Sequence, residues 1–377
     1  MLLVTKTLMV GNFYFGWLFY NLICGILLLN FSRKTKLCQN RLILGIFCLS
    51  FFVLAIFGNS ITPDYMPYRD IISEIAQTKD PFTHLEDIYV KLIHNIGDDY
   101  FLYQCIIYGI EFILFFFLLS KSIIKSKYII CFMALFAILG LYNAIGGRAG
   151  LCYVTTLYGI FCLYNRQKIL GILFLILGIL LHKFGIILSP LFIIASIIPI
   201  SFNRKRLIFF LIIVLVAIVV MRHVINNSFG DLLDQMSDIN AAGANYLAKE
   251  ESPNEGGSFW WKLVGLYKTL FFILISFRVL YLANRFINDN KIIGLFYRIS
   301  ILLITLAIIY YSLGLPDPTI GGRFLSAATI PICIIVALIS EYKPYKRHEK
   351  NICILGLLVY LLFNNAFIVG VSHINGV

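Results

Sequence analysis

The tetrapeptide Ile-Gly-Gly-Arg occurs twice, at residues 145–148 and 320–323. A guanidinium is the natural two-pronged partner of a phosphate. Two glycines before it let the backbone turn tightly and come close to a ligand. If each copy opens a helix, the helix dipole adds to the pull on an anion. Arg148 and Arg323 facing one cavity would then clamp a diphosphate. The plainer alternative is that each arginine reaches for lipid headgroups, because its surroundings are strongly apolar. His182-Lys183 breaks the apolar stretch 169–200. An ionisable residue there costs a few kcal/mol unless paired or wet, roughly 2–4 by insertion scales. His182 is therefore a candidate general base or phosphate contact, with Lys183 beside it. The alternative is a turn histidine satisfied by backbone.

Arg222-His223 closes another apolar run and offers the same chemistry, or serves as an interfacial anchor. Asp64 and Tyr65, with Tyr68 after them, form a carboxylate set among rings, which suits a sugar: hydroxyls bond the acid and C–H faces stack on the rings. An interfacial tyrosine belt with a turn aspartate is the bland alternative. Glu111, Lys268, Arg278 and Arg298 fall inside or near apolar runs, where pairing within a fold is as natural as function. There is no His/Cys/carboxylate cluster with metal spacing, no phosphate-binding glycine loop with lysine, and no G-x-S-x-G.

The elements that must position these residues are membrane helices. The chain has 377 residues, 60% hydrophobic and only 13% charged. A soluble domain carries about 25% charged residues. Apolar runs near 20 residues recur along the chain, long enough to cross about 30 Å of hydrocarbon as helices. They lack the alternation of barrel strands. The formal charge of +12 sits in short loops between these runs, not in a basic stripe interleaved with stacking aromatics. Nucleic acid is not an expected partner. The cysteines lie mostly within apolar runs with no C-x-x-C, as small buried residues do. The first apolar run ends in Arg33, Lys34 and Lys36, a stop-transfer pattern and not a cleavage site.

Spans are expected at about 8–31, 42–58, 101–120, 128–146, 149–164, 169–181, 184–200, 207–225, 260–283, 292–313, 323–340 and 352–372. If 169–200 doubles back, six short loops rich in Lys and Arg fall on one side. They hold only Asp289, Glu341 and Glu349 of the 19 acids. By the positive-inside rule that side is cytoplasmic and both termini are outside. The fold class is thus all-α, one polytopic membrane helix bundle over 1–377 with about twelve spans and two long outer loops. The loop 59–100 carries Tyr68, Ile71, Ile72, Ile75 and Tyr89, Leu92, Ile93, Ile96 at helical spacing. It predicts two amphipathic helices on the outer membrane face, the second begun by a Thr83-x-x-Glu86 capping box. The acidic, glycine-containing loop 226–259 reads as a lid, or as an ordinary solvated segment.

Pro63-Asp64-Tyr65-x-x-Tyr68 opening the first outer loop is similar to the EpsG/Wzy-type family of polysaccharide repeat-unit polymerases. Gly147-Arg148-Ala149 opens a span about 80 residues later, where that family has an arginine motif. His182 before Lys183-Phe184-Gly185 resembles the family's single histidine, and Arg323 near the last pair of spans fits too. This chain departs in having two glycines before Arg148 and Ala149 after it. The resemblance implies a bacterial inner-membrane glycosyltransferase, GT-C-like and related to the O-antigen ligases. Donor and acceptor would be glycans on undecaprenyl pyrophosphate, joined outside the cytoplasm without cofactor or required metal. It leaves room for a flippase and a chain-length regulator as partners. Arg148 and Arg323 would hold the pyrophosphate, His182 would act as base or phosphate contact, and Asp64, Tyr65 and Tyr68 would hold the sugar. A ligase would share these residues. A flippase or transporter of lipid-linked sugars would instead use charges at mid-membrane, such as Glu111 and Lys268. A membrane acyltransferase would call for an early histidine on the cytoplasmic side, whereas the first here is His84, placed outside.

Overall fold

A computed structural model of the chain describes residues 2–62, 65–77, 86–144, 147–197, 255–312, 318–342 and 346–374. Their regular structure is helical throughout. In chain order the helices are α1 (Leu2–Leu29), α2 (Leu37–Phe57), a 3-10 turn (Asn59–Ile61), α3 (Tyr65–Gln77), α4 (Asp87–Ile96) and α5 (Tyr100–Ser122). There follow α6 (Ile129–Leu139), α7 (Leu141–Ala144), α8 (Arg148–Tyr164), α9 (Lys168–Leu181) and α10 (Gly185–Ile197). The last four are α11 (Glu255–Ala283), α12 (Lys291–Ser312), α13 (Pro318–Tyr342) and α14 (Arg347–Ile374). Among the described residues six helices are long and apolar enough to cross a membrane, and α6, α9 and α10 are shorter apolar helices. The expected span 207–225 lies outside the described residues, as does most of the 226–259 loop.

Burial sorts the helices into layers. Every residue of α6 is buried, as is α8 from Gly150 to Cys162, so both lie inside the bundle. Around them, α1, α2, α5, α9, α10 and α14 each turn large apolar side chains outward, among them Leu18, Leu49, Ile113, Leu173, Ile186 and Leu362. A soluble protein does not expose apolar surface on this scale. These faces suit lipid, which leaves backbone groups to be satisfied within helices.

Size, not polarity, decides which side of α9 faces inward. Gly171, Leu175, Gly178 and Leu181 are its buried residues, spaced at helical intervals. A Cβ on Gly171 would meet Leu163, and one on Gly178 would meet Thr156. Small residues let α8 and α9 approach closely where no hydrophobic force drives helix association. The stretch 169–200 does double back: α10 returns along α9, with Ser189 Oγ donating to Leu175 O at 3.1 Å. At 14 and 13 residues, α9 and α10 are each about 20 Å long, short of about 30 Å of hydrocarbon. The charge argument needs only that both ends of this hairpin lie on one side, and the reversal supplies that.

Several basic loops do meet at one end of the bundle. Thr35 N–H donates to Lys127 O at 3.0 Å, and Lys127 N–H to Glu341 Oε1 at 2.8 Å. Asn40 Nδ2 reaches the carbonyls of Ile124 and Ser126. At that end Arg298 donates from Nε to Ala195 O at 2.8 Å and so satisfies a carbonyl in the last turn of α10. Arg278 makes a long, exposed contact with Glu349 at 3.9 Å. Lys268 stands over the rings of Tyr360 and Phe367. All three have structural company.

The two helices of segment 59–100 cover part of the bundle. α3 and α4 form at the predicted places, but Ile72, Ile75, Tyr89 and Ile93 are fully buried against the rest of the protein. Tyr89 OH donates to Leu181 O at 2.8 Å. Their apolar faces pack against the rest of the protein. Periodicity reveals an apolar face without saying what lies against it.

The α9–α10 turn leaves no room beside Gly185, where an added Cβ would meet Gly178 O and C. Both are backbone atoms and cannot rotate away. Gly185→Ala is expected to cost about 1–3 kcal/mol, as overpacking does. Gly25, with nothing within 4 Å of its Cβ position, serves as the control. Thermal midpoints in detergent should fall for Gly185→Ala and hold for Gly25→Ala. Equal midpoints would refute the tight hairpin.

Candidate active site

At the end of the bundle opposite the basic loops, three helix starts and one hairpin turn come together. α8 begins at Arg148, α13 begins just before Arg323, α4 begins after Glu86, and His182 sits between α9 and α10. Gly147 precedes α8 with φ of +55°, a conformation that glycine adopts without strain and that swings the chain into the helix. The second Ile-Gly-Gly-Arg behaves differently: Gly321 and Gly322 lie within α13, which starts at Pro318. The two copies are alike in sequence but do not make like turns. Only the first uses its glycine for a bend.

Arg148 is the hub. Its Nη1 donates to Glu86 Oε2 at 2.5 Å, and its Nη2 donates to Tyr68 OH at 2.6 Å. Its guanidinium also stands 5.2 Å from the Tyr68 ring centre and 5.5 Å from that of Tyr89. Both members of the ion pair are nearly buried, each side chain 13% exposed. An ion pair this dry persists only when further hydrogen bonds satisfy both partners. Glu86 supplies a second link, since its Oε1 accepts from Lys183 N–H at 3.1 Å. One carboxylate thus ties α4 to α8 and to the hairpin turn.

Some donors remain unspent. Arg148 Nε is buried with no hydrogen-bond partner among the described residues, and so is the Tyr103 hydroxyl. Leaving such groups unpaired costs about 1–3 kcal/mol each, and more for a charged one. Their position beside the cationic cluster is what a site awaiting an anionic or hydroxylated ligand would show. Arg323 meets no acceptor among the described residues, yet its charge is felt at His182. Phe184 and Phe324 pack ring to ring at 5.0 Å, which brings the start of α13 against the hairpin turn.

His182 has a fixed tautomer. Its Nδ1 accepts from Phe184 N–H at 3.0 Å, so that nitrogen carries no proton. The neutral ring therefore bears its hydrogen on Nε2 and can only donate from there. Burial is the main reason its pKa falls from 6.5 to about 4. Glu86 pulls the other way, while Arg148, Arg323 and Lys183 together push it down. His182 thus stands in this structure as a neutral ring with its hydrogen on Nε2. Burial likewise holds the Tyr89 hydroxyl protonated.

The structure brings Arg148, His182, Arg323, Lys183 and Tyr68 together. Lys183 contributes its backbone N–H, while its side chain is exposed. Tyr68, expected to stack on a sugar, is held by Arg148. Tyr65 belongs to α3, and Asp64, Arg222 and His223 lie outside the described residues. The residue that sequence reasoning missed is Glu86. It is itself the residue capping α4 and makes no side-chain cap bond, so the helix starts three residues later than a box at Thr83 implies. Its carboxylate goes to the guanidinium because a charge-assisted bond is about twice as strong as a neutral one. Glu111 is buried in α5 against the first turn of α8, where a Cβ on Gly150 would strike its carboxyl. Among the described residues there is no group of His, Cys, Asp or Glu placed to hold a metal ion.

Fold and site together define a helical membrane protein with a cationic, tyrosine-lined site at helix ends. Residues 41–375 match the EpsG family, so the chain belongs to that family, the family of Wzy-type polysaccharide polymerases. No curated protein and no solved structure matches the chain.

A histidine kept neutral when folded, but free to protonate when unfolded, ties stability to pH. Its contribution is complete above about 6.5 and is lost as pH falls toward about 4. His182→Asn keeps an acceptor for Phe184 N–H and removes the titration. Between pH near 7.5 and pH near 5, the parent should lose on the order of 1 kcal/mol more than the variant, read from melting in detergent. Parallel losses would refute the neutral assignment.

Proposed function

We propose that this protein joins lipid-linked oligosaccharide repeat units into polysaccharide at the outer face of the bacterial inner membrane. The donor is a glycan on undecaprenyl pyrophosphate, and the acceptor is the terminal hydroxyl of another such unit. One observation carries the reading: Arg148 and Arg323, on different helices, flank the His182 turn at the end of the bundle away from the basic loops. By the positive-inside rule that end faces outward. No sugar nucleotide is available there, so an activated sugar has to arrive on a lipid.

In the reaction the acceptor oxygen attacks the anomeric carbon and the glycosyl–diphosphate bond breaks. Negative charge grows on the departing diphosphate. Fixed guanidinium groups in a partly dry site stabilise it at little cost in reorganisation. Arg148 offers its free Nε–H and Arg323 its whole fork. His182 Nε2–H is a further donor for a phosphate oxygen. The Tyr103 hydroxyl and the tyrosine rings around Arg148 suit the sugar.

Arg323 is the cleaner residue to test, because it supports no partner among the described residues. Arg323→Ala should leave protein levels unchanged and abolish long chains. Arg148→Lys keeps a charge but loses the fork, and should slow polymerisation by about 10²-fold or more. Chain-length profiles of surface polysaccharide read both. Full-length polymer in both variants would sink the assignment. Deleting the protein should leave single units on the final acceptor. Loss of all attached glycan, with lipid-linked polymer accumulating, would make it a ligase instead.

A further inference from the structure

A transfer to an alcohol requires something to take the alcohol's proton, and on the reading above this site has to supply it. His182 does not qualify. Its Nδ1 is committed to Phe184 N–H and its Nε2 already carries hydrogen. Tyr89 donates its hydroxyl to Leu181 O, and Tyr68 OH accepts from Arg148. Glu86 is a carboxylate that two members of the cluster hold. It is occupied, with Oε2 on Arg148 and Oε1 on Lys183 N–H. Each carboxylate oxygen still has a second lone pair.

We propose that Glu86 is the catalytic base, and that its ion pair with Arg148 is a latch which the donor's diphosphate opens. The inference rests on the polymerase reading. With the site empty, Arg148 serves Glu86. A diphosphate carries more negative charge than a carboxylate and takes the guanidinium. Lys183 N–H keeps the freed carboxylate beside the site, now without its strongest counter-charge. The acceptor hydroxyl then gives its proton to Glu86 and its oxygen bonds to the anomeric carbon. The electrons of the broken bond leave with the diphosphate, and Glu86 returns the proton to water at that face. Exchange of partners at Arg148 thus ties activation of the acceptor to arrival of the donor. A hydroxyl without a donor meets a base that is still engaged.

The experiment separates binding from turnover. A short-chain polyprenyl diphosphate is the binding probe, and polymer chain length with its rate of formation in membranes is the other readout. Glu86→Gln removes both the base and the anion competing for Arg148. It should bind the probe as tightly as the parent or several-fold tighter, and polymerise at least about 10²-fold more slowly. Glu86→Asp keeps a carboxylate set back by one methylene, and covers the case in which the glutamine variant folds poorly. It should bind the probe normally and polymerise more than tenfold slower. A residue that only orients Arg148 would lose binding and turnover together in both variants, and that result overturns the proposal. So does unchanged polymer from Glu86→Gln. If the parent fails to bind the diphosphate and Arg323→Ala polymerises normally, the polymerase reading itself falls, whatever Glu86 does.

Discussion

The ion pair between Glu86 and Arg148 organises this end of the molecule. It spans 62 residues of sequence and joins a loop helix, a bundle helix and, through Lys183 N–H, the hairpin turn. In surroundings this dry, a single charge without its partner would be strongly unfavourable, by about 3–5 kcal/mol. The pair stands because each member has more than one contact. Arg148 adds the Tyr68 hydroxyl and two ring faces, and Glu86 adds a backbone N–H. Glu86 at the start of α4 and Tyr68 of α3 are held on the same guanidinium as a consequence.

Rigidity below the site comes from close packing of small residues. α8 is buried over most of its length, and the glycines of α9 allow the two backbones to approach. Arg148 and His182 are therefore set by closely packed elements. Further away, side-chain amides hold the outer helices. Trp17 Nε1 donates to Asn365 Oδ1 at 2.6 Å, and Asn21 and Asn365 exchange amide bonds at 2.7 and 2.8 Å. Asn364 Nδ2 bonds Tyr20 OH and Ile138 O, linking α14 to α1 and α6. In apolar surroundings such bonds join helices that have no hydrophobic reason to associate.

The site sets several cations around the Glu86 carboxylate. Its neutral histidine follows from that balance and from burial. A positive cluster at the end of an apolar bundle is costly unless an anion visits it, and the unpaired Nε of Arg148 marks where one can bind. The same scarcity of negative charge gives Glu86 its weight as the counter-ion of Arg148.

Much of this was legible from residue order alone. The apolar runs marked the helices, because a 20-residue apolar stretch has few other stable forms in lipid. Basic loops implied that 169–200 reverses, and His182 marked the turn. Arg148 and Arg323 stood out because two charges beside glycines in apolar sequence need an explanation. Other features needed three dimensions. Thr83 and Glu86 match a local capping pattern, and nothing in the order of residues shows that a guanidinium 62 positions later takes that carboxylate. The twin tetrapeptides look alike, yet only Gly147 bends the chain, since backbone conformation depends on where each helix begins. The tautomer of His182 also needed the fold, because it is set by the group that meets Nδ1. Local sequence determines which segments become helices and which residues are unusual. Tertiary structure decides which distant partner satisfies each buried charge, and so which of them can donate, accept or wait for a ligand.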